Sequence, residues 1–259
     1  MGELKKILIL FLLLVSLLTY TKEFRVISYN LYGGRLTDPI ELADSLKKYS
    51  PDFLAFQEVD KETFRSNFLD FTKEVADRLG YRYYYFKKAL DFQAGEFGIS
   101  FISKYPVDEI YTKELINSET AKEKRQLIVA KFNKSIFSKN LCIFNTHLTY
   151  DIEDNAKQVD DLLTVATYIN GDMKILCGDF NLLPSTKEYK KIVEKFNDTY
   201  NNKDEKRIDY IFLKKGENIN IDEAKFVSVK NNKGEELSDH RPYIVKLDIK
   251  HDIDKNQQK

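Results

Sequence analysis

Met173-Lys174-Ile175-Leu176-Cys177-Gly178-Asp179-Phe180-Asn181 is an apolar run that stops abruptly in a polar cluster. Residues 173 to 177 read as a strand, because β-branched and long apolar side chains suit a pleated, buried surface. The same event recurs along the chain: Asn30 follows Phe24 to Tyr29, Gln57-Glu58 follows Phe53 to Phe56, and Asn145-Thr146-His147 follows Leu141 to Phe144. Ser238-Asp239-His240 adds a fifth cluster ahead of Tyr243 to Ile249. Parallel or mixed sheets gather strand ends at one edge, so residues spread over most of the chain are expected to converge on one polar cleft.

Between the strands lie helical stretches with start and stop signals. Asp38-Pro39-Ile40-Glu41 offers a capping residue, a first-turn proline and a glutamate; Ser185-Thr186-Lys187-Glu188 has the spacing of a capping box. Asn67 to Leu79 is expected to close at Gly80, and Ile152 to Ile169 at Gly171. Further strands are expected at Phe97 to Ser103, Arg125 to Phe132, Ile208 to Leu213 and Ala224 to Val229. The aromatic run Tyr81 to Phe86 is a strand or sheet face rather than a base-stacking platform. Many strands and few helices indicate an α/β chain built as two packed sheets with helices outside.

The polar clusters contain carboxylates, carboxamides and imidazoles, with no Ser-His-Asp triad and no thiol beside a base. Hard oxygen donors from Glu58, Asn30, Asp179 and Asp239 suit Mg²⁺, with Mn²⁺ as the alternative. Such an ion polarises a phosphoryl oxygen. His147 and His240 can handle protons, and the third histidine of the chain, His251, stands in a polar tail over 250–259. Taken singly, each cluster has a plainer reading: a turn at Gly178 to Asn181, a solvated strand end at Gln57-Glu58, a core histidine at His147, a surface pair at Asp239-His240.

The chain has 259 residues, 42% hydrophobic, enough for one large domain. With 41 basic and 41 acidic residues, overall charge argues for neither nucleic acid nor an anionic membrane, and leaves a phosphate substrate open because a metal supplies local positive charge. Lys5-Lys6 precede the apolar stretch Ile7 to Tyr20. Its length suits a signal peptide or short anchor over residues 1–22 better than a span of roughly 20 apolar residues, so the domain is expected over 23–249 in an exported protein, secreted or anchored. Cys142 and Cys177 lie in apolar runs, where small buried thiols are the usual case and a disulfide the alternative.

Phe24 to Asn30, Asp52 to Val59, Asn145-Thr146-His147-Leu148, Gly178 to Asn181, Arg207-Ile208-Asp209-Tyr210-Ile211 and Ser238-Asp239-His240-Arg241-Pro242, taken in order, resemble the motif set of the endonuclease/exonuclease/phosphatase superfamily over about residues 24 to 248. The resemblance implies a four-layer α/β sandwich of two packed mixed β-sheets flanked by helices, and a metal-dependent phosphoesterase. It implies Glu58 as principal metal ligand with Asn30 beside it, Asp239 completing the metal or water shell, and His240 as general base or phosphate-stabilising imidazole oriented by Asp209. Asp179 would position the attacking water, Asn181 would bind the phosphoryl group, and His147 would support the leaving group. Glu96 and Arg125 occupy places where members keep a carboxylate that orients the second histidine and a phosphate-binding arginine; a surface salt bridge or strand-edge charge is the alternative for each.

The expected function is therefore hydrolysis of a phosphoric ester by in-line attack of water, without a covalent intermediate. Nucleic acid, a phospholipid headgroup and a small phosphoester are all admissible substrates. No obligate protein partner is expected, and a monomer is. The alternative is a non-catalytic binding or surface-interaction protein on the same scaffold.

Overall fold

Alternation along the strands sets the layers. Phe24, Val26, Phe53, Ala55, Ile143, Ile175, Cys177, Ile211 and Leu213 enter one core, while Ile27, Tyr29, Leu54 and Phe56 enter a second, and Cys142, Phe144, Leu176, Tyr210 and Phe212 a third. Successive side chains on a strand face opposite ways, so a strand apolar at every position must be covered on both faces. The first core lies between two sheets, and the other two lie beneath helices. Each fully buried Val, Leu, Ile or Phe contributes about 1.5–3 kcal/mol.

The computed structural model describes residues 21–202, 206–217 and 219–250. The first sheet is formed by β1 (Thr21–Asn30), β2 (Phe53–Lys61), β3 (Tyr83–Phe92), β4 (Gly95–Ser103), β11 (Ile219–Phe226) and β12 (Tyr243–Lys250), in the order β11-β12-β1-β2-β4-β3. The second is formed by β5 (Glu109–Glu114), β6 (Gln126–Phe132), β7 (Leu141–His147), β8 (Met173–Asp179), β9 (Phe196–Asp198) and β10 (Asp209–Lys214), in the order β5-β6-β7-β8-β10-β9. Each sheet is mixed, with a single parallel pair near its middle: β1 with β2, and β7 with β8. The helices α1 (Pro39–Lys47) and α4 (Ile152–Tyr168) bridge these pairs, joined by α2 (Phe71–Leu79), α3 (Lys134–Phe137) and α5 (Lys187–Lys195). The outcome is the expected sandwich, with the carboxyl ends of both parallel pairs at one edge.

The local signals were partly displaced. Asp38 caps α1 as its sequence indicates, accepting from the amides of Ile40 and Glu41 at 2.9 Å. For α5 the cap is Thr186, one residue after Ser185, and its hydroxyl accepts from Tyr189 N. The expected helix from Asn67 begins only at Phe71, because Asn67 and Phe68 both take a left-handed φ and Asp70 supplies the cap. Gly171 is not the end of α4: a Cβ there would lie 2.5 Å from Cys142 Sγ, so this glycine permits a close approach instead. Cys142 and Cys177 are buried free thiols. The strand β1 starts at Thr21, inside the segment expected to be signal or anchor, and Lys250 belongs to β12 rather than to the tail. The rest of the apolar N-terminal stretch and His251 lie outside the described residues. The edge strands β5 and β9 escaped the sequence reading because the first is polar and exposed and the second is three residues long. Tyr81 to Phe86 feeds β3, with Tyr85 packed on the inter-sheet core and Tyr84 and Phe86 on the outer one. Among the described residues no helix is long and apolar enough to cross a membrane.

Candidate active site

On the first sheet the backbone is bent to deliver its groups. The pairing of β2 with β4 slips between Phe56 and Val59, and within that bulge Glu58 adopts φ 52. A bulge re-aims side chains next to a site. Here it sends Gln57 inward, where Nε2 donates to Asn145 Oδ1 at 2.7 Å, and turns Glu58 to the cleft. Asn145 in turn donates to Phe56 O at 3.1 Å and Ser100 O at 2.8 Å, so buried amides link the two sheets beneath the cleft floor. The Asn30 amide donates to Glu58 Oε1 and to Asp179 Oδ2, each at 3.0 Å. One NH₂ group thus joins a carboxylate from each sheet, and its Oδ1 accepts from Tyr32 N at 3.0 Å.

On the second sheet register does the work. Asp209, Asp179 and His147 stand directly opposite one another across β10, β8 and β7. Gly178 makes that possible, since a Cβ there would lie 2.0 Å from Thr146 O. Asp179 Oδ2 lies 3.6 Å from His147 Nε2 and 3.8 Å from His240 Nε2. Asn181, at φ 49, closes the turn by donating its backbone N–H to Asp179 Oδ1 at 3.0 Å. Its Nδ2 donates to Leu148 O at 2.9 Å and lies 3.3 Å from His147 Nε2.

The segment before β12 ties the halves together. Ser238 Oγ donates to Asn30 O at 2.8 Å and accepts from His240 N at 3.2 Å, placing the imidazole Nδ1 at 2.8 Å from Asp209 Oδ2. Asp239 is exposed beside them.

These contacts set the protonation states. Burial opposes charge on His240, but the Asp209 hydrogen bond and the charges of Asp209, Asp179 and Asp239 outweigh it and push the pKa up to about 9. Burial, with Arg125 and His240 nearby, holds His147 well below the ordinary imidazole range, so it is neutral. Burial and the neighbouring Asp209 raise Asp179 above the usual carboxylate range, against the pull of His240 and Asn30. One imidazolium and one neutral imidazole therefore face the same carboxylate.

The structure brings together Asn30, Glu58, His147, Asp179, Asn181, Asp209 and His240. It places Glu96 elsewhere, 3.7 Å from Lys61 Nζ and 3.6 Å from Lys88 Nζ. The carboxylate on the Nδ1 side of His147 is Glu123, with Oε1 at 3.9 Å from Nδ1 and 2.5 Å from Arg125 Nη1. Its signal was the two-residue spacing from the buried Arg125, masked by the charged run Lys122 to Arg125 that reads as a solvated face.

The donor set fits a hard divalent cation. Asp179, Asp209 and Asp239 act on the His240 imidazolium, the Asn30 amide joins Glu58 to Asp179, Asp209 Oδ1 is buried without a hydrogen-bond partner, and Glu58 Oε2 takes no hydrogen bond among the described residues. Asp179, Asp209 and His240 also bring one ligand atom each within 4.8 Å of one another, a second position for an ion.

The profile of the Endonuclease/Exonuclease/phosphatase family matches residues 27–240. The chain belongs to that family. No curated protein matches it in sequence. Among solved structures of the family's fold, an endonuclease/exonuclease/phosphatase from Beutenbergia cavernae DSM 12333 is similar at TM-score 0.71 and 17% identity, over 88% of this chain and 72% of that one. The human Nocturnin catalytic domain with bound sulfate anion is similar at TM-score 0.70 and 20% identity, over 90% of this chain and 97% of that one. ANGEL2, described as a 2',3'-cyclic phosphatase, is similar at TM-score 0.65 and 14% identity, over 88% and 96%. At such identities the likeness speaks for the fold; members of the family are metal-dependent phosphoesterases, which fits the buried cluster of carboxylates and imidazoles here.

Proposed function

We propose that this protein hydrolyses phosphoric esters by direct attack of water, with a divalent cation, Mg²⁺ or Mn²⁺, held by Glu58 and Asp239; Asn30, expected as a ligand, instead steadies Glu58 through its NH₂ group, because its oxygen accepts from Tyr32 N. The observation that carries this reading is the Asp179 carboxylate, placed between two imidazole Nε2 atoms and joined through Asn30 to Glu58. A cation bound there would polarise a phosphoryl oxygen and offset developing negative charge. Asp179, with its raised proton affinity, accepts a proton from the attacking water, which Asn181 helps to hold. His240, charged at neutral pH and steadied by Asp209, pairs with a phosphoryl oxygen as the pentavalent arrangement forms. This assigns His240 to charge stabilisation rather than to the base. Neutral His147 stands on the side where the leaving oxygen departs, with Arg125 and Glu123 behind it.

The lysine-led apolar stretch of residues 5–20 supports export, and the protein acts as a monomer outside the cytoplasm, free or anchored. The test of the activity is hydrolysis of bis-p-nitrophenyl phosphate with Mg²⁺, with chelator, and in Glu58→Ala. Turnover abolished by chelator and by the variant supports the assignment. Ligand binding without turnover in the Mg²⁺-loaded protein would show a binding protein on this scaffold.

A further inference from the structure

Beside Glu58 the cleft opens into a recess of about 220 Å³ whose remaining lining has no part in the chemistry above. Its lining includes an apolar side, made of Leu90, Phe92 and Phe97 at the end of the β3–β4 hairpin with the Arg65 guanidinium over the two rings, together with Arg35 and Lys122. It also touches Glu123, so it runs from the proposed cation ligand toward the His147 side of the cleft.

The three cations differ. Arg65 is neutralised and locked: its Nε and Nη2 donate to Asp60 Oδ2 and Oδ1 at 2.5 and 2.7 Å, Asp60 is fully buried, and the guanidinium lies 4.5 Å from the Phe92 ring centre. Packing accounts for Arg65. Arg35 and Lys122 have no carboxylate partner among the described residues. Arg35 rests on the Tyr32 ring at 4.6 Å and donates to its hydroxyl at 3.4 Å, while Tyr32 N is bonded to Asn30. One unpaired guanidinium is therefore perched on a support tied to the reaction centre, with an unpaired ammonium on the same recess.

Resting on the phosphoesterase reading above, we infer that this recess is a subsite for the organic group flanking the scissile phosphate, a nucleoside carrying a second phosphate. The base and sugar lie on the apolar side, and the second phosphate is bound by Arg35 and Lys122. A guanidinium and an ammonium suit phosphate. They would repel a cationic headgroup such as choline. The apolar side gives a polyhydroxylated ring such as inositol nothing to hydrogen-bond, and favours a flat base instead.

The test compares three chromogenic diesters in Mg²⁺: methyl p-nitrophenyl phosphate, thymidine 5'-(p-nitrophenyl phosphate) and the same nucleotide with a 3'-phosphate. The 3'-phosphate is expected to lower KM about tenfold, the scale of one charge-assisted hydrogen bond. In Arg35→Gln/Lys122→Gln that gain disappears, while the rate on the methyl ester stays at the wild-type value. A 3'-phosphate without effect, or equal losses on all three substrates, overturns the subsite. Calorimetric binding of thymidine 3',5'-bisphosphate separates this from failure of the activity itself. Should no ester be hydrolysed, binding weakened about tenfold in the double variant still supports the recess, and unchanged binding sinks it. Inositol 1,4-bisphosphate binding as tightly as the nucleotide would remove the nucleoside assignment.

Discussion

β1–α1–β2 in one sheet and β7–α4–β8 in the other are the same device, a parallel strand pair bridged by a helix, and both present polar groups from their carboxyl ends. They differ in how. The second sheet uses straight pairing: Asp209, Asp179 and His147 are neighbours by register, and Gly178 lets the strands close up. The first breaks its ladder, and the left-handed Glu58 in the bulge is what reaches the cleft. A group aimed by register is fixed by every rung of the ladder, whereas a group aimed by a bulge depends on a few local contacts, here the Gln57–Asn145 link and the Asn30 amide.

The largest effect is expected on the registered side. Asp179→Asn should lower kcat by roughly 10²–10⁴-fold, with a melting temperature equal to or above that of the wild type, because a buried carboxylate beside Asp209 is removed. Turnover within tenfold of the wild type would take the water-activating role away from Asp179. On the bulged side Glu58→Gln should weaken Mg²⁺ by roughly 10–100-fold, comparable to losses at metal-site partners, and excess Mg²⁺ should restore part of its rate but none of that of Asp179→Asn. Titration calorimetry decides: a greater loss of affinity in Asp209→Asn than in Glu58→Gln would move the ion to the Asp179, Asp209 and His240 position.

The link beneath the bulge gives a third, smaller contrast. Asn145→Ala leaves Gln57 Nε2 without its cross-sheet acceptor and should cost about 2 kcal/mol. For a domain of this size that is roughly 4–8 °C in Tm by differential scanning calorimetry. An unchanged Tm would mean that the amide bridge does not brace the floor. The smallest effect concerns pH. His240 has its folded pKa raised to about 9, above the unfolded value of roughly 6.5. Its contribution is therefore complete below pH ~6.5 and lost as pH rises through about 9. Chelated wild-type protein should lose stability across that window more steeply than His240→Gln, as followed by Tm against pH; parallel curves would deny the Asp209 pair its role.

Much of this was legible in residue order. Phe24 to Asn30 and Met173 to Asn181 announce buried strands that end in polar groups, because a strand covered on both faces must be apolar until it leaves the core. Glu123 was not legible. It hides among Lys122, Lys124 and Arg125, and only the burial of Arg125 against His147 distinguishes it from an ordinary solvated charge. Glu96 is the opposite case: it lies inside β4, opposite Lys61 and Asp91, and takes the salt-bridge alternative with Lys61 and Lys88. The sequence read Asn145 and Gln57 simply as parts of polar clusters, and their hydrogen bond spans 88 positions and two sheets.

By itself, then, the chain's order of apolar and polar residues determined two doubly covered sheets and the chemical inventory at their ends, since side-chain periodicity and hydrophobicity are local properties. Only the tertiary structure decided which carboxylate meets which imidazole, that Glu58 turns on a bulge, and that Arg35 and Lys122 share a recess. Those outcomes depend on the packing of one sheet against the other and on charges brought within a few ångströms, distances that sequence separation does not encode.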